Sequence, residues 1–166
     1  MNSSLTPFSE SRYKFSGYEL KSLEAVDVLV IAETLSKMDP WKTLDYGADE
    51  LAKHLLITNP LSFRFVISGE AGRIGVVCVS YPWLRGSYLD LLAIFEPFQG
   101  MSIGRQVIKW LETQTKIKGK NIWALVSNFN KSARKFYQKM GFNEVAILND
   151  LVKPGYDEIL IRKILK

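Results

Sequence analysis

Residues 100–104 read Gly-Met-Ser-Ile-Gly, and two chemistries compete for that spacing. Gly-x-Ser-x-Gly is the pattern of a nucleophile elbow, in which a serine at a sharp strand-to-helix turn attacks a carbonyl. At the start of a helix the same residues would let backbone N–H groups close on an anion instead. An elbow needs its serine directly after a strand, with an acid and then a histidine later in the chain. Here Phe-Glu-Pro-Phe-Gln-Gly separates the strand-like run from Ser102, and His54, the single histidine, precedes it. The order His54, Asp90, Ser102 matches another known triad order, but one carried on an all-β scaffold. The hydrolase reading fails on context.

The anion reading fits better. Gly100 and Gly104 let the main chain approach a ligand, Ser102 offers a hydroxyl, and Arg105 and Lys109 follow on the same helix. Unpaired first-turn amides and the helix dipole favour negative charge there, which suits a pyrophosphate. Taken alone, a Gly-rich loop is equally well an ordinary capped helix.

The elements that would position these residues follow from periodicity. Tyr13–Leu23 reads as a first strand. A helix from about Leu23 to Met38 carries Val26, Leu29, Val30, Ala32 and Leu35 at helical spacing, and Asp39-Pro40 ends it. Residues 48–57 give a short second helix. Two β-type runs around Gly69-Glu-Ala-Gly72 make a hairpin, and residues 87–95 a further strand. Ser102 to Gly119 forms a helix with Ile103, Val107, Ile108, Leu111 and Thr115 inward and Ser102 as N-cap. A strand at 121–127 precedes a helix capped by Asn130 and stopped by Gly141, with Ala133, Phe136, Tyr137 and Met140 along one side. Two strands close the chain. This is one α/β domain, residues 13–166, with residues 1–12 expected to be a flexible N-terminal segment.

Gln99, Ser102 and Gly104, then Asn130, Ala133, Phe136, Tyr137, Gly141 and Phe142, carry a resemblance. The first set resembles Gln/Arg-x-x-Gly-x-Gly/Ala and the second Asn-x-x-Ala-x-x-Phe/Leu-Tyr-x-x-x-Gly-Phe, two motifs of the GNAT superfamily of N-acetyltransferases. Asn130 follows Gly104 by 26 residues, and the element order also matches, so the likeness covers nearly the whole chain. Ser102 departs from the usual glycine, and Pro97 lies one residue later than the common pattern.

The resemblance implies an α+β fold with a central mixed, twisted sheet of about seven strands flanked by about four helices. It implies acetyl-CoA as co-substrate, lying between the strands at 87–95 and 121–127, and direct transfer in a ternary complex with no acyl-enzyme. By the same resemblance, backbone groups of Leu92, Ala93 and Ile94 pair with the pantetheine arm, the Leu92 N–H donating to the thioester carbonyl. Gln99, Gly100, Met101, Ser102, Ile103, Gly104 and Arg105 hold the pyrophosphate. Asn130, with Ala133 beside it, bonds the arm, and Tyr137 protonates the departing CoA thiolate. A thiolate of pKa near ~8.5 does not need a strong acid.

The acceptor half is less legible. An alkyl amine of pKa ~10.4 is neutral about once in 2,500 molecules at pH 7, a penalty of roughly 4.6 kcal/mol, so some group must take its proton. Family members that acetylate a ribosomal protein's N-terminus carry a Glu twelve residues before the tyrosine; that position here is Leu125. Asp90 and Glu96 are the carboxylates nearest the thioester strand. Apolar neighbours could raise the Asp90 pKa toward that of a useful base, and a salt bridge to a neighbouring strand is the alternative. Trp41 and Tyr46 could wall a cationic amine, with Asp39, Asp45, Asp49 and Glu50 attracting it; a solvated acidic loop explains them equally well.

The net charge of +5 is dispersed, without the basic-aromatic ribbon or zinc spacing of a nucleic-acid binder. Single Cys78 excludes a disulfide framework, and no metal is expected. The chain shows no signal-like segment and no apolar run of ~18 residues, which points to a cytoplasmic protein without a membrane partner. A monomer or homodimer is expected, and nothing in the sequence chooses between them. The expected activity is acetyl transfer to a primary amine of a small molecule or peptide. The rival is a non-catalytic acyl-CoA sensor.

Overall fold

The computed structural model describes residues 6–166, which form two compact units. The first comprises residues up to 22, 61–122 and 164–166; the second comprises 23–60 and 123–163. Across the described residues there are eight strands and four α-helices, the α+β class expected from the sequence. No helix among them is long and apolar enough to cross a membrane.

In the first unit, β1 (Arg12–Lys14), β2 (Tyr18–Ser22), β3 (Ser62–Gly69), β4 (Gly72–Trp83) and β5 (Gly86–Ile94) pair antiparallel in that order. The additional strand arises because the expected first strand is a hairpin. Gly17 takes φ +86°, and the Phe15 N–H bonds the Tyr18 carbonyl at 2.9 Å, so the chain reverses inside Tyr13–Leu23. Helix α3 (Ile103–Lys116) buries Ile103, Val107, Ile108, Leu111 and Thr115 as its spacing predicts, and Trp110 besides. Trp110 packs edge-on against Tyr13, Phe65 and Phe8. Phe8 is 2% exposed and its N–H donates to Gln114 Oε1 at 2.8 Å, so aromatic burial anchors the chain from this residue. Residues 1–5 of the segment expected to be flexible lie outside the described residues.

The strands β6 (Asn121–Ser127), β8 (Tyr156–Ile164) and β7 (Asn143–Lys153), which the second unit holds from residue 123 and up to residue 163, lie in the order β6-β8-β7. Helix α1 (Ala25–Leu35) packs with α2 (Ala48–Leu56). The inward stripe of α1 is Val28, Ile31, Ala32 and Leu35, and this corrects the sequence reading: Val26, Leu29 and Val30 are 71%, 66% and 49% exposed. The segment Ala-Val-Asp-Val-Leu-Val-Ile-Ala is apolar on nearly every side, so two stripes satisfy the 3.6-residue period and only packing chooses between them. Helix α4 (Lys131–Lys139) ends at Gly141, whose φ of +85° supplies the left-handed stop.

Candidate active site

The predicted residues fall into two groups, one in each unit. In the first unit, β5 ends at Ile94, a 3-10 turn spans Glu96–Phe98, and α3 begins at Ile103. No sharp elbow exists, in agreement with the rejection of the hydrolase. Gly100 and Ser102 both take left-handed backbone, φ +78° and +62°. Ser102 occupies the N-cap position, but its hydroxyl makes no cap hydrogen bond. The first intrahelical bond runs from the Gln106 N–H to the Ser102 carbonyl, 3.1 Å, so the N–H groups of Ile103, Gly104 and Arg105 precede the ladder. Helices α1 and α2 carry Asp27, Asp49 and Glu50 in their first turns; α3 carries no acid there, and exposed Arg105 instead. Helix α4 likewise carries no acid in its first turn, and open first-turn amides with the helix dipole favour negative charge at such a terminus.

Gln99 has a local role. Its side-chain amide donates to the Ile94 carbonyl at 2.9 Å, tying the loop back to the end of β5. Glu96 is exposed, and its carbonyl accepts the Gln99 N–H. Met101 is exposed, Leu92 and Ile94 are half-buried, and Ala93 is buried. Asp90 occupies a bulge: Cys78 stands opposite Leu91 and Val79 opposite Leu89, leaving Asp90 as the additional residue of β5. Burial pushes the Cys78 thiol up to about 12, with the Asp90 charge adding to the rise and Arg64 opposing it. Asp90 and Arg64 thus both bear on the charge at this interior position of the sheet.

In the second unit, Asn130 caps α4. Its Oδ1 accepts the Ala133 N–H at 3.2 Å and the Ser132 hydroxyl at 3.1 Å, leaving its Nδ2 to donate elsewhere. Tyr137 is the one buried residue of α4, 9% exposed, with Phe136 and Phe142 at ring-centroid distances of 5.3 Å each. Burial raises its phenol pKa above the ordinary 10.0. A cavity of about 440 Å³ is lined by Tyr137, Phe142, Val126 and Ile161 with Lys131, Arg134 and Lys135. Asp45, one of the acids considered for attracting an amine, is ion-paired with Lys153, and Asp39 accepts the Thr43 hydroxyl at 2.6 Å. Sequence reasoning missed the Ser127–Glu158 pair: the hydroxyl donates to a buried carboxylate at 2.6 Å. Alternation in Tyr-Asp-Glu-Ile-Leu-Ile sets Glu158 on the strand face opposite Ile159 and Ile161, so no local pattern marks it as buried.

The family model of the acetyltransferase (GNAT) family matches residues 28–142, which include both groups. The chain belongs to that family. Among solved structures, this GNAT protein is similar to an acetyltransferase from Thermus thermophilus, with TM-score 0.72 and 20% identity over 89% of this chain and 97% of that one. It is similar to the ribosomal-protein-S18-alanine N-acetyltransferase from Escherichia coli, with TM-score 0.72 and 17% identity over 90% and 94% of the two chains. A Bacillus anthracis chain solved in complex with acetyl coenzyme A gives TM-score 0.59 and 17% identity, covering 66% of each. At these identities the likeness is one of fold. No curated protein matches by sequence.

As a GNAT family member the protein is an acyltransferase. GNAT enzymes use acetyl-CoA, and the α3 terminus offers features its pyrophosphate would use: N–H groups ahead of the helical ladder, left-handed Gly100 and Ser102, no acid in the first turn and a neighbouring Arg105. Among the described residues no group of three or more His, Cys, Asp or Glu could hold a metal ion.

Proposed function

We propose that this protein transfers the acetyl group of acetyl-CoA to a primary amine of a small molecule or peptide, by direct attack and without an acyl-enzyme. The observation that carries the reading is the uncapped N-terminus of α3. The amides of residues 100–104, with Arg105, hold the pyrophosphate. Leu92 donates its N–H to the thioester carbonyl as negative charge gathers on it, and Ala93 and Ile94 support the pantetheine arm. Asn130 uses its oxygen to cap α4 and its Nδ2 to bond the arm.

Tyr137 donates its proton to sulfur as the carbon–sulfur bond breaks, and water reprotonates it. Because burial raises its pKa, the phenol keeps its proton at every pH below its ordinary 10.0. Leu125 supplies no base, so the reading does not extend to N-termini of ribosomal proteins in particular.

The test is thiol release from acetyl-CoA against pooled amines, polyamines, amino acids and N-terminal peptides. Wild type is expected to turn over at least one pool, and Tyr137→Phe to lose at least about tenfold in kcat with acetyl-CoA affinity kept. The alkaline side of the wild-type profile should show no loss of the acid below about pH 10. Tight acetyl-CoA binding without turnover in any pool would favour a sensor instead.

A further inference from the structure

Glu158 is 5% exposed, and the Ser127 hydroxyl, 2.6 Å from Oε1, is the one hydrogen-bond donor its carboxylate finds among the described residues. A carboxylate can accept about four hydrogen bonds, so Ser127 leaves most of that capacity open. The pair is built into the segment that starts α4. The Ser127 carbonyl accepts the Asn130 N–H at 2.9 Å, and the Asn128 N–H bonds the Asp157 carbonyl at 2.9 Å. Glu158, Ser127, Asn130 and Ala133 are therefore joined by consecutive hydrogen bonds or by the backbone of one residue.

The faces of the strands sort the chemistry. Val126 and Ile161 line the cavity that also contains Tyr137. Side chains alternate along a strand, so Trp123, Leu125 and Ser127 on β6, with Glu158, Leu160 and Arg162 on β8, turn the other way. The Arg162 guanidinium 5.1 Å from the Trp123 ring centroid, like the Ser127–Glu158 bond, shows these two rows meeting. Displacement at a thioester carbon needs a base where the amine arrives and an acid where sulfur leaves. Strands β6 and β8 carry a buried carboxylate on one face and a buried phenol beside the other. Leu125, on the carboxylate face, offers no base of its own.

Resting on the acetyltransferase reading, we propose that Glu158 is the general base: its free oxygen, Oε2, takes a proton from the acceptor ammonium, directly or across one water, while Ser127 holds Oε1. The amine nitrogen thereby gains its lone pair and Glu158 becomes a neutral acid. Nitrogen then bonds the acetyl carbon, the carbon–sulfur bond breaks, sulfur takes the Tyr137 proton, and the second amine proton leaves to water. Glu158 and Tyr137 exchange with solvent to reset, so one proton is released per acetyl transferred. Ser127 is a positioning residue.

The titration environment agrees. Burial raises the Glu158 pKa above 4.5, and the Ser127 hydrogen bond opposes part of that rise. Strand β6 carries no ionisable residue, Leu148 stands opposite Glu158 on β7, and the ionisable residues of β7 are Glu144, Asp150 and Lys153. On β8 itself they are Tyr156, Asp157, Arg162 and Lys163. A base must be ionised, so activity falls as pH drops through the raised value. The sign for stability is opposite to that of a salt-bridged carboxylate: with the folded pKa above the unfolded one, stability declines as pH rises from 4.5 through the folded pKa.

The experiment compares wild type, Glu158→Gln, Ser127→Ala and Tyr137→Phe, using the amine of highest turnover. It records the pH profile of kcat/KM, acetyl-CoA affinity and Tm. Glu158→Gln keeps the shape and an acceptor for Ser127; it should lower kcat/KM at least about tenfold and abolish the acid limb. Acetyl-CoA affinity should stay within about twofold and Tm at pH 7 should hold or rise. Ser127→Ala removes the bond that lowers the Glu158 pKa, so its acid limb should move to higher pH; this readout decides the matter even if Glu158→Gln fails to fold. A Glu158→Gln protein with wild-type rate and an intact acid limb, beside an impaired Tyr137→Phe, overturns the base assignment and leaves the acetyltransferase reading standing. Absence of turnover by wild type with every amine overturns both.

Discussion

Helices α3 and α4 begin in opposite ways. At α4, Asn130 folds its side chain back onto the Ala133 N–H and accepts the Ser132 hydroxyl as well, so the first turn is closed by its own chain. At α3, Ser102 has a hydroxyl of the right kind, but left-handed backbone and no cap hydrogen bond. Capping contributes about 1 kcal/mol, and a non-glycine residue in left-handed backbone costs about 1–2 kcal/mol. The sequence thus forgoes stability at one helix terminus and secures it at the other. A terminus without its cap is available for a ligand, whereas a capped one fixes the helix that carries Tyr137.

The sharpest way to break this contrast is to close α3 artificially. Ser102→Asp supplies a carboxylate at the N-cap, and Asp tolerates left-handed backbone better than most residues. Acetyl-CoA affinity by calorimetric titration should fall at least about tenfold, or ~1.4 kcal/mol, with Tm unchanged or raised. The converse change opens α4. Asn130→Ala should cost about 1 kcal/mol of stability by urea unfolding, because the Ala133 N–H loses its acceptor. It should weaken acetyl-CoA binding less than Ser102→Asp does. The smallest effect should follow from Ser102→Gly, which relieves the left-handed backbone but adds freedom to the unfolded chain; a gain under about 1 kcal/mol is expected, with acetyl-CoA affinity kept within about threefold.

Local signals were legible in the sequence and long-range ones were not. The periodicity of α3 marked its inward face correctly because Arg105, Lys109 and Glu112 leave only one apolar side. In α1 the same method selected Val26 and Leu29, since the helix is apolar nearly all round and burial was decided by its packing with α2. Asn130 could be recognised as a cap because its partner is three residues away. The bulge at Asp90 depends on the register between β4 and β5, which no local pattern encodes. Ser127 and Glu158 are 31 residues apart and become partners only through the order of β6 and β8. Ser102 was read as a cap on its residue type; its left-handed backbone removes the side chain from that task.

The central claim is that the open terminus of α3 receives acetyl-CoA. The most direct measurement is a ¹⁵N NMR titration of the protein with acetyl-CoA, following the backbone amides of Ile103, Gly104 and Arg105. Those three signals should shift in step with saturation, and more than the Ala133 amide that Asn130 already holds. Saturable binding of acetyl-CoA with residues 103–105 unmoved would contradict the account.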